Sequence, residues 1–184
     1  MSENQPQKQP NPWVEGIQTI GLSIVLALGI RQFVAEARFI PSGSMIPTLQ
    51  IDDRLVVEKI SYRFNPPKRG DIIVFRAPQK ALDAANVQGK AAYIKRVIGL
   101  PGETVEVKEG KVFIDGKALE EDYIQSPPTY TLPAEVVPAD EYLVLGDNRN
   151  SSSDGHVWGF LPKDTIIGRA AVRFWPLNRV GSLN

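Results

Sequence analysis

A serine in a loop bracketed by prolines is the first candidate for chemistry in this chain of 184 residues. Ser44 lies in the segment Pro41–Leu49, where Pro41 and Pro47 restrict the backbone and Gly43 allows a conformation that other residues resist. A serine hydroxyl is a weak nucleophile until a base removes its proton. A plain surface turn has a similar composition, so the interpretation depends on which base the chain supplies.

Lys95 is the candidate base, because it lies in the mostly apolar run Tyr93–Gly102. On a strand, Tyr93, Lys95 and Val97 share one face, while Arg96 lies on the other. A lysine in water has a pKa of about 10.4 and is no base at neutral pH, but burial against apolar groups lowers that pKa. The two segments together predict a serine–lysine hydrolase. The alternative is a strand lysine whose amine reaches water.

A polar loop, Gly146–Gly159, follows the apolar run Tyr142–Leu145 and forms the third candidate constellation. We expect Asp147 and Asp154 to pair with Arg149 in a structural clasp, and a serine hydroxyl of this loop to help orient the lysine. A solvated loop of turn-forming residues would explain the same composition.

The only histidine of the chain, His156, offers an alternative base. A triad of Ser44, His156 and Asp154 would need an alignment that spacing does not settle, and we favour a histidine that is hydrogen-bonded within its own loop. One histidine and no cysteine rule out a multi-histidine or thiolate metal site. We therefore expect no metal and no cofactor.

Composition divides the chain into three parts. Residues 1–12 are polar and contain proline, which predicts a disordered tail. Residues 13–35 are predicted to form a transmembrane anchor helix. The uncharged run Ile17–Ile30 covers only about 21 Å as a helix, but its flanks extend it toward a hydrocarbon core of roughly 30 Å. A signal peptide cleaved near Ala35–Ala37 and a soluble amphipathic helix are the alternatives. Residues 36–184 form the remaining domain.

Seven short runs rich in Val, Ile, Phe and Tyr predict strands in that domain. They are Arg54–Ile60, Asp71–Arg76, Tyr93–Ile98, Thr104–Val107, Lys111–Ile114, Tyr142–Leu145 and Ala170–Phe174. Glu109–Gly110 predicts a tight hairpin turn, whereas Pro78–Ala91 and Ser126–Pro138 are predicted to be irregular. The predicted fold class is mainly β: an antiparallel β-barrel or sandwich on one N-terminal transmembrane helix.

Charge argues against a nucleic-acid partner. The chain has 21 basic and 21 acidic residues, which give a formal net charge of zero. No basic run is interleaved with aromatic residues, so we expect no nucleic acid to bind.

Four motifs, taken in order, resemble those of bacterial type I signal peptidases, the membrane-anchored serine proteases that remove signal peptides from exported proteins. The motifs are PSGSMIPTL, RGDIIVF, YIKRVIGLPGE and GDNRNSSSDGHVWG, and the resemblance covers roughly Arg38 to Trp175. The chain departs from the pattern at His156, where many members have arginine, and at Asn150, where many have aspartate.

The resemblance implies a role for each matching residue. It makes Ser44 the nucleophile and Lys95 the general base, with a Ser42 hydroxyl beside the Ser44 N–H in the oxyanion hole. Ser152 matches the serine that orients the lysine. The other matches are the structural polar cluster of Asp147, Arg149 and Asp154, and the pocket for the small residue before the cut, formed by Ile40, Met45, Leu49, Tyr93 and Ile94.

The resemblance also implies partners and a location. The substrates would be preproteins bearing signal peptides, cut after alanine-like residues, and the anchor would lie in a lipid bilayer. The catalytic domain would lie outside the cytoplasm on a plasma or thylakoid-type membrane, although Arg31 and Arg38 follow the apolar run and do not favour a cytoplasmic amino terminus. The alternatives are another serine–lysine protease, either self-cleaving or of an organellar inner membrane, and a tethered β module that only binds extended peptides. The sequence does not indicate whether the chain is a monomer or an oligomer.

Overall fold

A long N-terminal helix opens the computed structural model, which describes residues 11–183. The predicted disordered tail lies outside the described residues except for Asn11, whose side chain accepts a hydrogen bond from the Trp13 N–H, and Pro12, which begins helix α1 (Pro12–Phe33). These 22 residues extend about 33 Å at 1.5 Å per residue. No residue of α1 is buried, and the helix is long and apolar enough to cross a membrane. Helix α1 ends at Phe33 and a strand begins at Ala35, so residues 34 and 35 of the predicted anchor lie beyond the helix.

Eight strands form the larger sheet, in which every pair is antiparallel. Its order is β1-β2-β11-β3-β4-β9-β10, with β12 paired to β11. The bounds are β1 Ala35–Phe39, β2 Arg54–Glu58, β3 Ile72–Arg76, β4 Ala92–Gly99, β9 Glu141–Leu145, β10 Leu161–Pro162, β11 Ile166–Trp175 and β12 Gly181–Ser182.

Four strands form the smaller sheet, which is also antiparallel and has the order β7-β6-β5-β8. The bounds are β5 Thr104–Lys108, β6 Lys111–Ile114, β7 Lys117–Ala118 and β8 Leu132–Val136. The predicted hairpin turn is confirmed: Glu109 and Gly110 join β5 to β6 with φ angles of 51° and 72°. Both sheets are open over residues 11–183, so the mainly β prediction is confirmed and the closed-barrel alternative is wrong.

Three short helices and three single turns of 3-10 helix complete the described structure. The helices are α2 Ser61–Phe64, α3 Gln79–Ala84 and α4 Gly155–Trp158, and the 3-10 turns are Arg149–Ser151, Lys163–Thr165 and Leu177–Arg179. Two predictions of irregular structure are therefore wrong in part. Helix α3 forms where Ala81 and Leu82 become buried, and β8 forms because it pairs with β5 at the edge of the smaller sheet.

Strand β4 runs between three hydrophobic clusters and is central to the larger sheet, since it pairs with β3 and β9. Ile94 belongs to the cluster that also contains Met45 and Leu49. Val97 packs in a second cluster, and Ile98 in a third that is shared with the smaller sheet. The strand that carries Lys95 is thus fixed along most of its length by packing.

Gly168 allows β11 to approach β2 closely, and its replacement tests the sheet. A Cβ added to Gly168 would lie 2.2 Å from the Glu58 carbonyl oxygen, a backbone atom that cannot rotate away. We expect Gly168→Ala to lower the free energy of unfolding by about 2 kcal/mol, as measured by urea denaturation of the detergent-solubilised chain. Gly181→Ala in β12 is the control, because no atom lies within 4 Å of its added Cβ. Equal losses in both variants would contradict the prediction.

Candidate active site

Ser44 and Lys95 form a hydrogen-bonded pair, the dyad, in the folded chain. The Lys95 Nζ lies 2.8 Å from the Ser44 Oγ and also donates to the Ile94 carbonyl oxygen at 3.0 Å. Both residues are buried, with 8% of Ser44 and 4% of Lys95 exposed. This separation is hydrogen-bond distance. The amine can therefore take the hydroxyl proton directly, without a bridging water.

Burial changes the acidity of the lysine. It lowers the Lys95 pKa from its ordinary value of 10.5 to about 8, although the carboxylates of Asp154 and Asp147 act in the opposite direction. Desolvation disfavours the ammonium form, since a charge loses more than a neutral amine when water is removed. At mildly alkaline pH a large fraction of the Lys95 side chains is neutral and can act as a base.

The Ser44 loop is held from both sides. Met45 and Leu49 are fully buried in the first hydrophobic cluster. On the opposite side, the Asn148 N–H donates to the Ser44 carbonyl oxygen at 3.1 Å, and the Asn148 Nδ2 donates to the Gly43 carbonyl oxygen at 3.1 Å. The hydroxyl is thereby kept against the lysine.

A cleft of about 570 Å³ opens beside the dyad. Ser42, Ser44, Tyr93, Ile94, Lys95 and Asn148 are among the residues that line it. Of the five predicted pocket residues, Tyr93 and Ile94 line this cleft. Ile40, Met45 and Leu49 instead lie in the buried cluster that they share with Ile94.

The predicted clasp has the wrong partners. Asp147 accepts two hydrogen bonds from Arg96, at 2.8 and 2.6 Å, and one from the Thr48 hydroxyl at 2.5 Å. Arg149 pairs with Glu121 through two hydrogen bonds of 2.6 Å and donates to the Gly146 carbonyl oxygen. Neither Asp147 nor Asp154 therefore pairs with Arg149 as predicted. Asp147 and Arg149 find their partners on distant segments, whereas Asp154 is bonded within its own loop.

Glu121 and Tyr123, which sequence reasoning missed, connect the two arginines. The Tyr123 ring lies 4.0 Å from the Arg96 guanidinium and 6.0 Å from that of Arg149. Its hydroxyl donates to Glu121 at 2.6 Å. No motif or periodicity in the sequence pointed to these two residues, because the arginines that they contact lie more than twenty positions away on other segments.

His156 is hydrogen-bonded within its own loop, as predicted. Its Nδ1 lies 2.7 Å from the Asp154 Oδ1, and its ring stacks on Tyr130 with centroids 3.9 Å apart. The second oxygen of Asp154 accepts the Gly146 N–H at 2.8 Å. The group hydrogen-bonded to Ser44 is Lys95, so the triad alternative is wrong.

Ser152 lies close to the dyad without a bond to it. Its hydroxyl is buried and has no hydrogen-bond partner among residues 11–183, so its predicted orienting role stays a prediction. A Cβ added to Gly146 would lie 2.3 Å from the Ser152 Oγ and 2.5 Å from the Ser44 carbonyl oxygen. Only glycine lets these segments pack so closely. In the described part of the chain, no group of three or more histidine, aspartate and glutamate side chains could hold a metal ion.

Comparison with known proteins agrees with this geometry. The family model described as signal peptidase, peptidase S26, matches residues 13–175. A signal peptidase I of Leptolyngbya laminosa is 66% identical over 176 residues, which are 96% of this chain and 86% of that protein. A probable signal peptidase I-2 of Synechocystis is 54% identical over 182 residues, 99% of this chain and 82% of that protein. Thylakoidal processing peptidase 1 of Arabidopsis thaliana is 39% identical over 160 residues, 86% of this chain and 47% of that protein. The chain therefore belongs to the type I signal peptidases of the peptidase S26 family, which are serine endopeptidases.

Proposed function

We propose that Ser44 and Lys95 are the catalytic dyad with which this chain cleaves signal peptides from preproteins. The observation that carries the proposal is the 2.8 Å hydrogen bond between the Lys95 amine and the Ser44 hydroxyl. The burial of Lys95 supports the proposal further. It lowers the Lys95 pKa to about 8, so that a substantial fraction of the amine is neutral near that pH. A hydroxyl beside a neutral amine is an activated nucleophile.

The reaction proceeds through an acyl-enzyme. Neutral Lys95 takes the Ser44 proton as the Ser44 Oγ attacks the scissile carbonyl carbon, and the carbonyl oxygen becomes an oxyanion. The Ser44 N–H and the Ser42 hydroxyl stabilise that charge. The carbon–nitrogen bond then breaks, and the Lys95 ammonium gives its proton to the leaving amine. In the second half, neutral Lys95 takes a proton from a water molecule as the water oxygen attacks the ester carbon; the bond between that carbon and the Ser44 Oγ then breaks, and Lys95 returns the proton to the Ser44 Oγ.

The substrate lies extended in the cleft, with alanine-like residues at the first and third positions before the cut. Tyr93 and Ile94 line this cleft together with Ser44 and Lys95, and they are the residues that would contact those small side chains. The matches to proteins named signal peptidase I, which cover more than four fifths of each protein, favour preproteins over the substrates of other serine–lysine proteases. A module that only binds peptides would have no need for a buried lysine beside a serine.

Helix α1 anchors the enzyme in a bilayer, and the catalytic domain lies on the extracytoplasmic face of a plasma or thylakoid-type membrane. The length and apolar surface of α1 support the anchor. Relatives from cyanobacteria and from the chloroplast support a membrane setting.

Removing either member of the dyad tests the proposal. We expect Ser44→Ala and Lys95→Arg each to lower preprotein cleavage by at least about 10³-fold, because arginine keeps the charge but does not lose its proton. Detergent-solubilised protein is incubated with a preprotein, and the mature product is followed on gels. Lys111→Arg, which alters an exposed strand lysine in β6, is the matched control and keeps full activity. Substantial turnover by the Lys95→Arg variant would refute the assignment.

The pH dependence of the reaction reports the same lysine. Lys95 must be neutral to act, and its pKa is lowered to about 8, so protonation progressively lowers activity below that pH. We expect log kcat/KM to rise by about one unit per pH unit up to pH near 8 and then to level off. An unshifted lysine would instead keep the profile rising beyond pH 10, and that result would contradict burial as the activating device.

Sidedness can be measured directly because the chain has no cysteine. We expect a Lys111→Cys variant to react with a membrane-impermeant maleimide in intact spheroplasts as completely as in lysed ones, since this exposed residue lies in the catalytic domain. The cysteine-free parent is the labelling control. Labelling only after lysis would place the domain in the cytoplasm and contradict the proposed orientation.

A further inference from the structure

Asn148 contacts both carbonyl groups that flank the reactive serine. Its side-chain Nδ2 donates to the Gly43 carbonyl oxygen at 3.1 Å, and its backbone N–H donates to the Ser44 carbonyl oxygen at 3.1 Å. The Ile46 N–H donates to the same Gly43 oxygen at 3.1 Å. The hydrogen bond between Ser44 and Lys95 does not explain why the Asn148 side-chain amide lies against the Gly43 carbonyl.

The Gly43 carbonyl determines where the Ser44 N–H points. The two groups belong to one planar trans peptide unit, in which C=O and N–H point in opposite directions. Two hydrogen bonds hold the carbonyl of Gly43 on one side, so the N–H of Ser44 points to the other. That N–H has no acceptor within the described part of the chain, and Gly43, Ser44 and Asn148 all line the cleft beside the dyad.

The residues beside Asn148 hold it rigidly. Asp147 is fully buried and paired with Arg96, while Arg149 is 1% exposed and paired with Glu121. The two neighbours are therefore fixed to different segments, and Asn148, which is half-buried between them, is presented to the Ser44 loop in one position.

We propose that Asn148 is a positioning residue that orients the Ser44 N–H toward the oxyanion of the reaction. The inference rests on the proposed function, because it assigns Asn148 to the oxyanion hole of that same site. Asn148 makes no hydrogen bond to the Ser44 Oγ or to the Lys95 Nζ within residues 11–183, and it acts through the Gly43–Ser44 peptide. The required property is an N–H donor at Nδ2, since a carbonyl oxygen can accept only from a donor.

Replacing the amide by an isosteric carboxylate separates this role from packing. We expect Asn148→Ala to lower kcat about tenfold, less than the loss typical of a direct oxyanion donor, and Asn148→Asp to lower it further. An ionised carboxylate has the same shape, donates nothing and repels the Gly43 oxygen. KM should change little, because the lost interaction serves the transition state. If Asn148 only filled space, the Asp variant would keep the wild-type kcat, and that result would overturn the proposal.

Asn150→Ala is the matched control on the same loop. Its side chain accepts hydrogen bonds from Thr129 and donates to the Pro127 carbonyl oxygen, away from the dyad. This variant loses three side-chain hydrogen bonds, whereas Asn148→Ala loses one, and it should still keep the wild-type kcat. Thermal unfolding of all the variants shows whether they are folded. A loss of kcat in the Asn150 variant equal to that of Asn148→Ala would show a general loop effect and overturn the positioning role.

A peptide aldehyde ending in alanine tests the oxyanion directly. The Ser44 Oγ adds to the aldehyde carbon, the hydroxyl proton passes to Lys95, and the former carbonyl oxygen carries the negative charge. We expect Asn148→Ala and Asn148→Asp to weaken aldehyde inhibition by the same factor as kcat. The matching peptide alcohol forms no oxyanion, and its inhibition should not change. Equal losses for aldehyde and alcohol would assign Asn148 to peptide binding instead.

Failure of this inference is distinguishable from failure of the proposed function. If Ser44→Ala and Lys95→Arg are inactive while Asn148→Asp has wild-type kcat, only the role of Asn148 is wrong. If Lys95→Arg keeps its activity, the dyad itself is wrong, and the Asn148 proposal falls with it.

Discussion

Removal of water from the Lys95 amine is the constraint on which the rest of the structure depends. A hydrated lysine holds its proton at neutral pH, so the fold must bury this amine beside the Ser44 hydroxyl. Strand β4 achieves this because it is paired on both edges and packed in three hydrophobic clusters through Ile94, Val97 and Ile98. A shift of one residue in its register would turn Lys95 to the opposite face of the sheet. Packing therefore specifies the position of Lys95, the proposed base.

Two carboxylates near the Lys95 amine favour its charged form, and each of them accepts hydrogen bonds from other groups. Asp147 and Asp154 each raise the Lys95 pKa. Asp147 is held by the Arg96 guanidinium, and Asp154 accepts from the Gly146 N–H and lies against His156. Burial is the largest influence on the Lys95 pKa, which is lowered despite both carboxylates. The single histidine thus supports the loop behind the base and does not replace it.

The sequence predicts the dyad and most strands because their patterns are local. Lys95 stands out within an apolar run, Ser44 stands between prolines, and all seven predicted strands overlap observed ones. The missed elements depend on tertiary contacts. Helix α3 has little periodicity and is stabilised where Ala81 joins the second cluster, and β8 contains Pro133, which an edge strand tolerates. The partner of Arg149 was mistaken because Asp147 and Asp154 are near in sequence, whereas Glu121 is near only in space.

Glu121 and Tyr123 also explain why the smaller sheet matters for the site. They follow β7, and they bring a carboxylate and an aromatic ring to Arg96, which is adjacent to Lys95, and to Arg149, which follows Asn148. Burial alone would lower the pKa of Arg149, but the Glu121 carboxylate outweighs it and the pKa is raised. A buried ion pair contributes little net stability, yet breaking one member leaves an uncompensated charge. The network therefore fixes the position of the loop after β9, which contains Asp147 and Arg149. The loop packs where Arg96 meets Asp147 and Arg149 meets Glu121. In that position Asn148 lies against the Ser44 loop.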